Sequence, residues 1–303
     1  MKILFVRIND KIGDTVIETF FYRELKKLFP QSHLTVMCCG NKELLRQIPY
    51  IDEFIFLPPG GLGKIIAAFT KTLYIWKQHY DLLISLTPHW RMKFFNAFIR
   101  ANRKEYFDVI KGAHVSEAYS QVLKRLGKEK IDTTYELPIP NQVQKEVDLF
   151  LEKNHLLGKP FLIFNPAGGD PNRTLNQLQV QQIMEQLRGT PVVLLNWQGH
   201  YPTTFPEAIS WRHASILQTA ALVKNAAYIL TVDTGIAHIA EVFGKPMTVL
   251  FSLKHYQHEP MKDISLLTIW GPRGSQVQKL WAQESVNQIP VAAIVSQLPL
   301  PLQ

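Results

Sequence analysis

Apolar residues along this chain fall into two rhythms that alternate. Short solid runs such as "KILFV" (2–6) read as strands buried on both faces, and stretches with apolar residues every three or four positions read as helices. In the first half the strands are predicted at 2–7, 33–38, 53–57 and 81–86, and the helices near 15–29, 41–47, 61–79 and 91–101. "ELPIPNQ" (136–142) breaks the pattern, and a helix follows from about Val143 to Asn154. The alternation then restarts. "PFLIFNPAGG" (160–169) is a strand entering a glycine-rich turn, with a helix near 175–188. "PVVLLNW" (191–197) is a strand and "SILQTAALVKNA" (215–226) a helix. "YILTVDTGIAHIAEVFG" (228–244) is strand, turn and helix, and "PMTVLFS" (246–252) is a further strand. Such alternation predicts parallel sheets covered by helices. The expected architecture is α/β, with two doubly wound Rossmann-like domains, 1–140 and 141–303, facing across a cleft. A last helix at "IPVAAIVSQL" (289–298) is expected to pack back across the joint. Ligands in such folds lie beyond the carboxyl ends of the strands.

Composition narrows the class. Hydrophobic content of 46% and charge of 19% fit a globular chain, and no apolar run is long enough to span a membrane. Arg7 and Asp10 interrupt the start before a secretory apolar region develops, so a cytoplasmic location is expected. Cys38 and Cys39 are adjacent and read as reduced structural thiols.

The net charge of +8 is concentrated in residues 1–150, which hold 22 Lys and Arg against 16 Asp and Glu. The densest stretch runs from Lys64 to Lys111 and includes Arg91, Lys93, Arg100, Arg103 and Lys104. Trp76, Trp90, Phe94, Phe95 and Phe98 are interleaved with these cations. Such a mixture suits an anionic membrane surface or a phosphorylated acceptor, or it is a solvated helical face over an ordinary core. No nucleic-acid recognition motif accompanies it.

Three turns carry candidate chemistry. The first follows the opening strand and holds Asp10, Gly13 and Asp14, an odd place for a carboxylate because strand-to-helix turns usually receive anions. Taken alone, Asp14 there complements the helix dipole, worth about 0.3–1 kcal/mol. The second turn, "NPAGGDPNR" (165–173), offers Gly168 and Gly169 for close approach and Arg173 for bidentate phosphate contact. In the third, "TVDTGIAH" (231–238), Asp233 stands where an N-cap is expected, with Thr234 and Gly235 presenting backbone N–H groups and His238 one turn later. "PPGGLGK" (58–64) fails as a phosphate loop, because Pro58 and Ile65 occupy positions that need glycine and a hydroxyl. No G-x-G-x-x-G follows a strand. "HYQHE" (255–259) offers His255 and His258 without a nearby third ligand, so no metal site is assigned.

Three blocks together resemble glycosyltransferase family 9, the ADP-heptose:lipopolysaccharide heptosyltransferases. They are "RINDKIGDTVIETFFYRELKKLFP" with "IPYIDE", "NPAGGDPNRTLNQ", and "LVKNAAYILTVDTGIAHIAEVFGKPMTVLFS". The resemblance implies a GT-B fold, with an N-terminal acceptor domain and a C-terminal nucleotide-sugar domain. It implies inverting, metal-independent transfer of heptose from ADP-heptose to an inner-core sugar of lipopolysaccharide or lipooligosaccharide, with no cofactor beyond the ADP-sugar co-substrate. Asp14 matches the general base; Asp10 is a second candidate. Gly168, Gly169 and Arg173 match the donor-phosphate loop, and Asp233, Thr234, Gly235 and His238 match the donor-binding turn. Arg91, Lys93 and Arg100 are candidate contacts for an anionic acceptor made at the cytoplasmic face of the inner membrane, where peripheral contact is expected. Leu175 and Asn176 replace the family's aromatic residue and proline, and Pro202 stands where an acidic residue often meets the ribose. A transferase using another nucleotide-sugar, or a catalytically idle nucleotide-binding module, are the alternatives.

Overall fold

Lys2–Val6 (β1) is fully apolar after its first residue, and Ile3, Leu4, Phe5 and Val6 are completely buried. A strand this apolar must be covered on both faces and both edges. In the computed structural model it pairs in parallel with β2 (His33–Cys38) on one side and β4 (His79–Ser85) on the other. With β3 (Glu53–Phe56) and β5 (Arg100–Tyr106) at the edges, the sheet order is β3-β2-β1-β4-β5. The structure describes residues 1–7, 11–57, 71–85, 90–197, 199, 201, 208–212, 214–256 and 264–301. The chain divides into two units, Met1–Leu137 and Pro138–Gln303.

The first unit's helices are α1 (Ile12–Ile17), α2 (Thr19–Leu28), α3 (Lys42–Leu45), helical backbone over 71–77 (α4), α5 (Trp90–Ala97) and α6 (Val115–Arg125). Phe20, Phe21, Tyr22 and Leu25 on α2 are fully buried, each contributing about 1.5–3 kcal/mol of hydrophobic stabilisation. Tyr119 of α6 meets Phe20 and Phe21 in ring contacts at 6.1 and 5.8 Å.

The second unit opens with α7 (Asn141–Lys153) and carries a six-stranded parallel sheet. Its elements are β6 (Leu162–Asn165), α8 (Gln177–Gln186), β7 (Val192–Leu195), β8 (Ala208–Trp211), α9 (Ile216–Asn225) and β9 (Tyr228–Val232). After these come α10 (Gly235–Val242), β10 (Met247–Ser252), α11 (Leu266–Ile269), β11 (Val277–Ala282) and α12 (Val291–Val295). The strand order is β11-β10-β9-β6-β7-β8. Ile294 of α12 and Leu298 beyond it join a buried cluster with Val180 and Ile183 of α8, so the terminal helix closes the second unit's own core.

Both sheets reverse their winding direction at one pair of strands, β1 and β4 in the first unit and β6 and β9 in the second. At such a point the connections after adjacent strands diverge to opposite faces and open a crevice at the carboxyl ends. The segments following β1, β6 and β9 are those that carry the candidate chemistry.

Four elements depart from the sequence reading. The helix expected from Thr15 begins at Ile12 and runs on through Glu18, whose backbone stays right-handed helical at φ −68°, ψ −13°. Residues 100 and 101, expected as the end of a helix over 91–101, instead open β5 (Arg100–Tyr106), for which no strand was expected. This is an edge strand with Glu105 its one buried residue, so it lacks the apolar run that marked the central strands. The edge strand β8 escaped notice because it is only four residues long, Ala208–Trp211, and β11 because Gln278 and Lys279 break its apolar run, as polar residues on edges do.

Candidate functional site

In the second unit, Asn165 at the end of β6 ties the two switch-point strands together. Its Nδ2 donates to Thr231 Oγ1 at 2.9 Å and to Thr234 Oγ1 at 3.0 Å. The chain then turns through Gly168 and Gly169 into a single 3-10 turn, Pro171–Arg173, capped by Asp170. Asp170 Oδ1 accepts from the backbone N–H of Asn172 and Arg173, and Asp170 Oδ2 accepts from Arg173 Nε at 2.7 Å. From there Arg173 reaches the other turn: Nη1 donates to the Asp233 carbonyl at 3.0 Å and lies 3.5 Å from Asp233 Oδ2. One guanidinium therefore braces both glycine turns, 60 residues apart, while its side chain remains 16% exposed.

The glycines are fixed by this brace. A Cβ on Gly168 would meet the Arg173 carbonyl at 2.5 Å, and one on Gly169 would meet Arg173 Nη2 at 3.0 Å. The Gly168 amide donates to Thr174 Oγ1 at 3.2 Å, so Gly168 serves close packing rather than presenting a free donor. In the third turn the N-cap is Thr234, whose side chain accepts from Ile236 N, and not Asp233, the residue expected there. Asp233 is buried one residue earlier, where its carbonyl takes the Arg173 contact. Thr234 and Gly235 are half-buried and open α10, where helix geometry leaves N–H groups without intrahelical acceptors. Helix N–H groups and a partly exposed guanidinium thus lie together at the carboxyl ends of β6 and β9, an arrangement of the kind that can receive an anion.

His238 is buried one turn into α10, with Nδ1 3.8 Å from Glu241 Oε2. Glu241 Oε1 accepts from Arg273 Nε at 2.7 Å. Burial alone would raise the Glu241 carboxyl, but the neighbouring His238 ring and the hydrogen bond and charge of Arg273 hold it below the usual range. Burial lowers the pKa of Lys279, half-buried on β11, and the charges of Glu241 and Asp233 oppose that shift. Glu241, Arg273 and Lys279 were missed in sequence. Glu241 had a cue in its i+3 spacing from His238; the other two arrive from distant segments and had none. Leu175 is core, and Asn176 caps α8 by accepting from Gln179 N at 2.9 Å, which accounts for that pair without a ligand.

In the first unit Asp14 is half-buried in the first turn of α1 rather than in the turn before it, at the carboxyl end of β1. A carboxylate there is favoured by the helix dipole. Beneath it lies a pair that sequence reading did not single out. Arg7 follows β1, and its Nε lies 2.8 Å from Glu18 Oε2, both side chains being 1% exposed. Arg7 Nη1 donates to Thr15 Oγ1 at 2.7 Å, and Tyr22 Oη donates to Glu18 Oε2 at 2.8 Å. Burial pushes the Glu18 carboxyl up to about 7; Arg7 opposes that rise and Asp14 adds to it. A charge directly after an apolar strand was the available cue for Arg7.

The basic stretch divides by role. Lys104 Nζ donates to the Asn96 and Ala97 carbonyls and so caps α5, while Arg103 and Arg125 grip Glu105 at 2.7 and 2.8 Å. Arg100 is exposed and donates to the Lys77 carbonyl at 2.6 Å. It opens β5, so it lies at the amino end of the parallel sheet, opposite the end that carries Asp14. Lys93 is exposed on α5 beside Phe94, 64% exposed, and Phe98, 50% exposed. Asp10, Pro58, Lys64, Ile65, Pro202 and His258 lie outside the described residues, as do the side chains of Trp90, Arg91 and His255. Among the described residues no helix is long and apolar enough to cross a membrane, and no group of three or more His, Cys, Asp or Glu side chains is gathered.

No family model matches the chain. Among curated proteins it is 24% identical to the Escherichia coli K12 protein named "Putative lipopolysaccharide heptosyltransferase 4", over 89% of this chain and 78% of that one. It is 21% identical to lipooligosaccharide heptosyltransferase 2 of Haemophilus influenzae, over 82% and 83%. Among solved structures it superposes on a glycosyl transferase family 9 protein from Veillonella parvula with a TM-score of 0.78 and 18% identity, covering 98% of this chain and 95% of that one. The E. coli ADP-heptose lps heptosyltransferase II gives 0.72 and 16%, covering 98% and 97%, and E. coli heptosyltransferase WaaC with ADP gives 0.67 and 15%, covering 98% of each. In sequence, and in the fold of its two parallel-sheet units, this chain resembles the lipopolysaccharide heptosyltransferases of glycosyltransferase family 9.

Proposed function

We propose that the chain is an inverting heptosyltransferase of lipopolysaccharide or lipooligosaccharide assembly. It takes heptose from ADP-heptose as co-substrate, with no further cofactor and no metal, and the two units work as the halves of a GT-B enzyme. The observation that carries this is the Arg173 brace between two glycine turns at a switch point. It brings a cation and helix N–H groups together, the chemistry that a diphosphate calls for. In the reaction the acceptor hydroxyl oxygen bonds to the anomeric carbon while the carbon–oxygen bond to the diphosphate breaks. The electron pair leaves with ADP, and the hydroxyl proton passes to Asp14. Arg173 and the N–H groups of Thr234 and Gly235 meet the charge that develops on the leaving group. The reading requires the two units to bring Asp14 to the donor's sugar carbon.

A thermal-shift panel of ADP- and UDP-sugars tests the donor. ADP-heptose at about 100 times its Kd stabilises the folded state by about 2.7 kcal/mol, seen as a rise of several degrees in Tm. Stabilisation by UDP-sugars with none by ADP-heptose contradicts the donor assignment and favours the other nucleotide-sugar reading. Stabilisation by an ADP-sugar without any turnover favours the idle module.

The acceptor is an anionic lipid, and the exposed patch on α5 suits contact with the cytoplasmic face of the inner membrane. Phe94 and Phe98 meet edge to face at 5.0 Å, Phe98 lies 5.2 Å from Trp76 in a tilted contact, and the exposed Lys93 precedes Phe94 on α5. Aromatic rings and cations together bind anionic headgroups. The chain is expected to sediment with phosphatidylglycerol-containing vesicles at low salt and to be released at about 0.5 M salt, as screening shortens the reach of surface charge. Binding indifferent to salt and to Lys93→Glu contradicts the patch.

A further inference from the structure

A buried ion pair is an expensive way to fill a core, since apolar residues of like volume serve stability as well or better. Arg7 and Glu18 form such a pair under Asp14, and the reaction as written leaves them unused. Their placement is specific. Arg7 leaves the carboxyl end of β1, the strand that leads into α1, and its amide donates to the Met37 carbonyl at 2.9 Å, which fixes the backbone. Glu18 lies one helical turn beyond Asp14, and its amide donates to the Asp14 carbonyl at 3.0 Å. Thr15, next to Asp14, takes hydrogen bonds from Arg7 Nη1 at 2.7 Å and from Asn41 Nδ2 at 2.9 Å. The turn of helix that carries Asp14 is thus bolted to the pair from two sides.

The titratable and charged groups around Glu18 come from every neighbouring element: Arg7 after β1, Asp14 on α1, Tyr22 on α2, Tyr119 on α6 and Cys38 on β2. Burial raises both tyrosines and pushes the Cys38 thiol up to about 12, so these three stay neutral across the working range. Among the described residues, the charges that act on Glu18 are therefore those of Arg7 and Asp14.

We propose that Arg7 and Glu18 are a positioning pair whose contact holds the turn of helix that carries Asp14 in place at the carboxyl end of β1. The proposal rests on Asp14 as the base. With Glu18 ionised, its ion pair to Arg7 and the Arg7 hydrogen bond to Thr15 clamp that turn. With Glu18 neutral, the ion pair is lost and the turn is held less firmly. Because burial places the Glu18 transition at about 7, turnover should rise in a step as pH passes through that region.

The test is the pH dependence of kcat for the full chain with ADP-heptose and truncated lipopolysaccharide cores, alongside thermal melts. Glu18→Gln is expected to lose the step near neutrality and to turn over about three- to tenfold more slowly above it, with KM for ADP-heptose changed by less than about twofold. Tyr22→Phe removes a hydrogen bond that favours ionised Glu18 while keeping the ring; it should move the step to higher pH. If Glu18→Gln fails to fold, Tyr22→Phe carries the test. Profiles that superimpose on wild type while Asp14→Asn is inactive overturn the pair's role and leave Asp14 as the base. An Asp14→Asn variant with more than about a tenth of wild-type turnover overturns both.

Discussion

Asp14→Asn is expected to lower turnover at least 100-fold while leaving the affinity for ADP-heptose within about twofold, a loss of about 2.7 kcal/mol or more of barrier stabilisation. The substitution keeps the size of the side chain and the helix that carries it, and removes only the ability to take a proton. The dipole reading of the same residue predicts a different result. A carboxylate in the first turn of α1 is worth about 0.3–1 kcal/mol to folding, so its loss would lower Tm slightly and spare the chemistry. Single-turnover rates with calorimetric donor binding separate the two. Turnover above about a tenth of wild type removes Asp14 as the base.

The second large effect belongs to Arg173→Ala, which should weaken binding of ADP-heptose by about 10- to 100-fold. Two losses combine. The guanidinium supplies a charge-assisted phosphate contact, worth about 1.5–3 kcal/mol. It also holds Asp170 at 2.7 Å and the Asp233 carbonyl at 3.0 Å, so its removal frees both glycine turns. Arg173→Lys retains the charge but cannot span both turns, and should recover only part of the affinity. Donor affinity unchanged in Arg173→Ala, measured by calorimetry, contradicts the phosphate role.

The central strands of both sheets were legible because they are solid apolar runs: β1, β2, β6, β9 and β10 lie where the pattern put them. The glycine turns were legible because a parallel strand followed by glycine has few uses. What stayed hidden was set by partners far along the chain. β5 carries Arg100, Arg103, Lys104 and Glu105, and it is a strand because β4 pairs with it, not because its own residues alternate cleanly. Asp14 was found but placed one element too early, since the helix start at Ile12 has Lys11 at its cap and no side-chain signal to announce it. Thr234 outranks Asp233 as the cap because Asp233 is drawn back toward Arg173, a contact across 60 residues that no local rule contains. The Arg7–Glu18 pair shows the same limit: an i+11 ion pair depends on the strand and helix already being folded side by side.

The most direct measurement is mass spectrometry of a truncated lipopolysaccharide core after incubation with the chain and ADP-heptose. The account predicts an acceptor heavier by one heptose with an equal amount of ADP released, and neither product with Asp14→Asn. An acceptor of unchanged mass, under conditions where ADP-heptose binds and the vesicle-bound core is accessible, contradicts it.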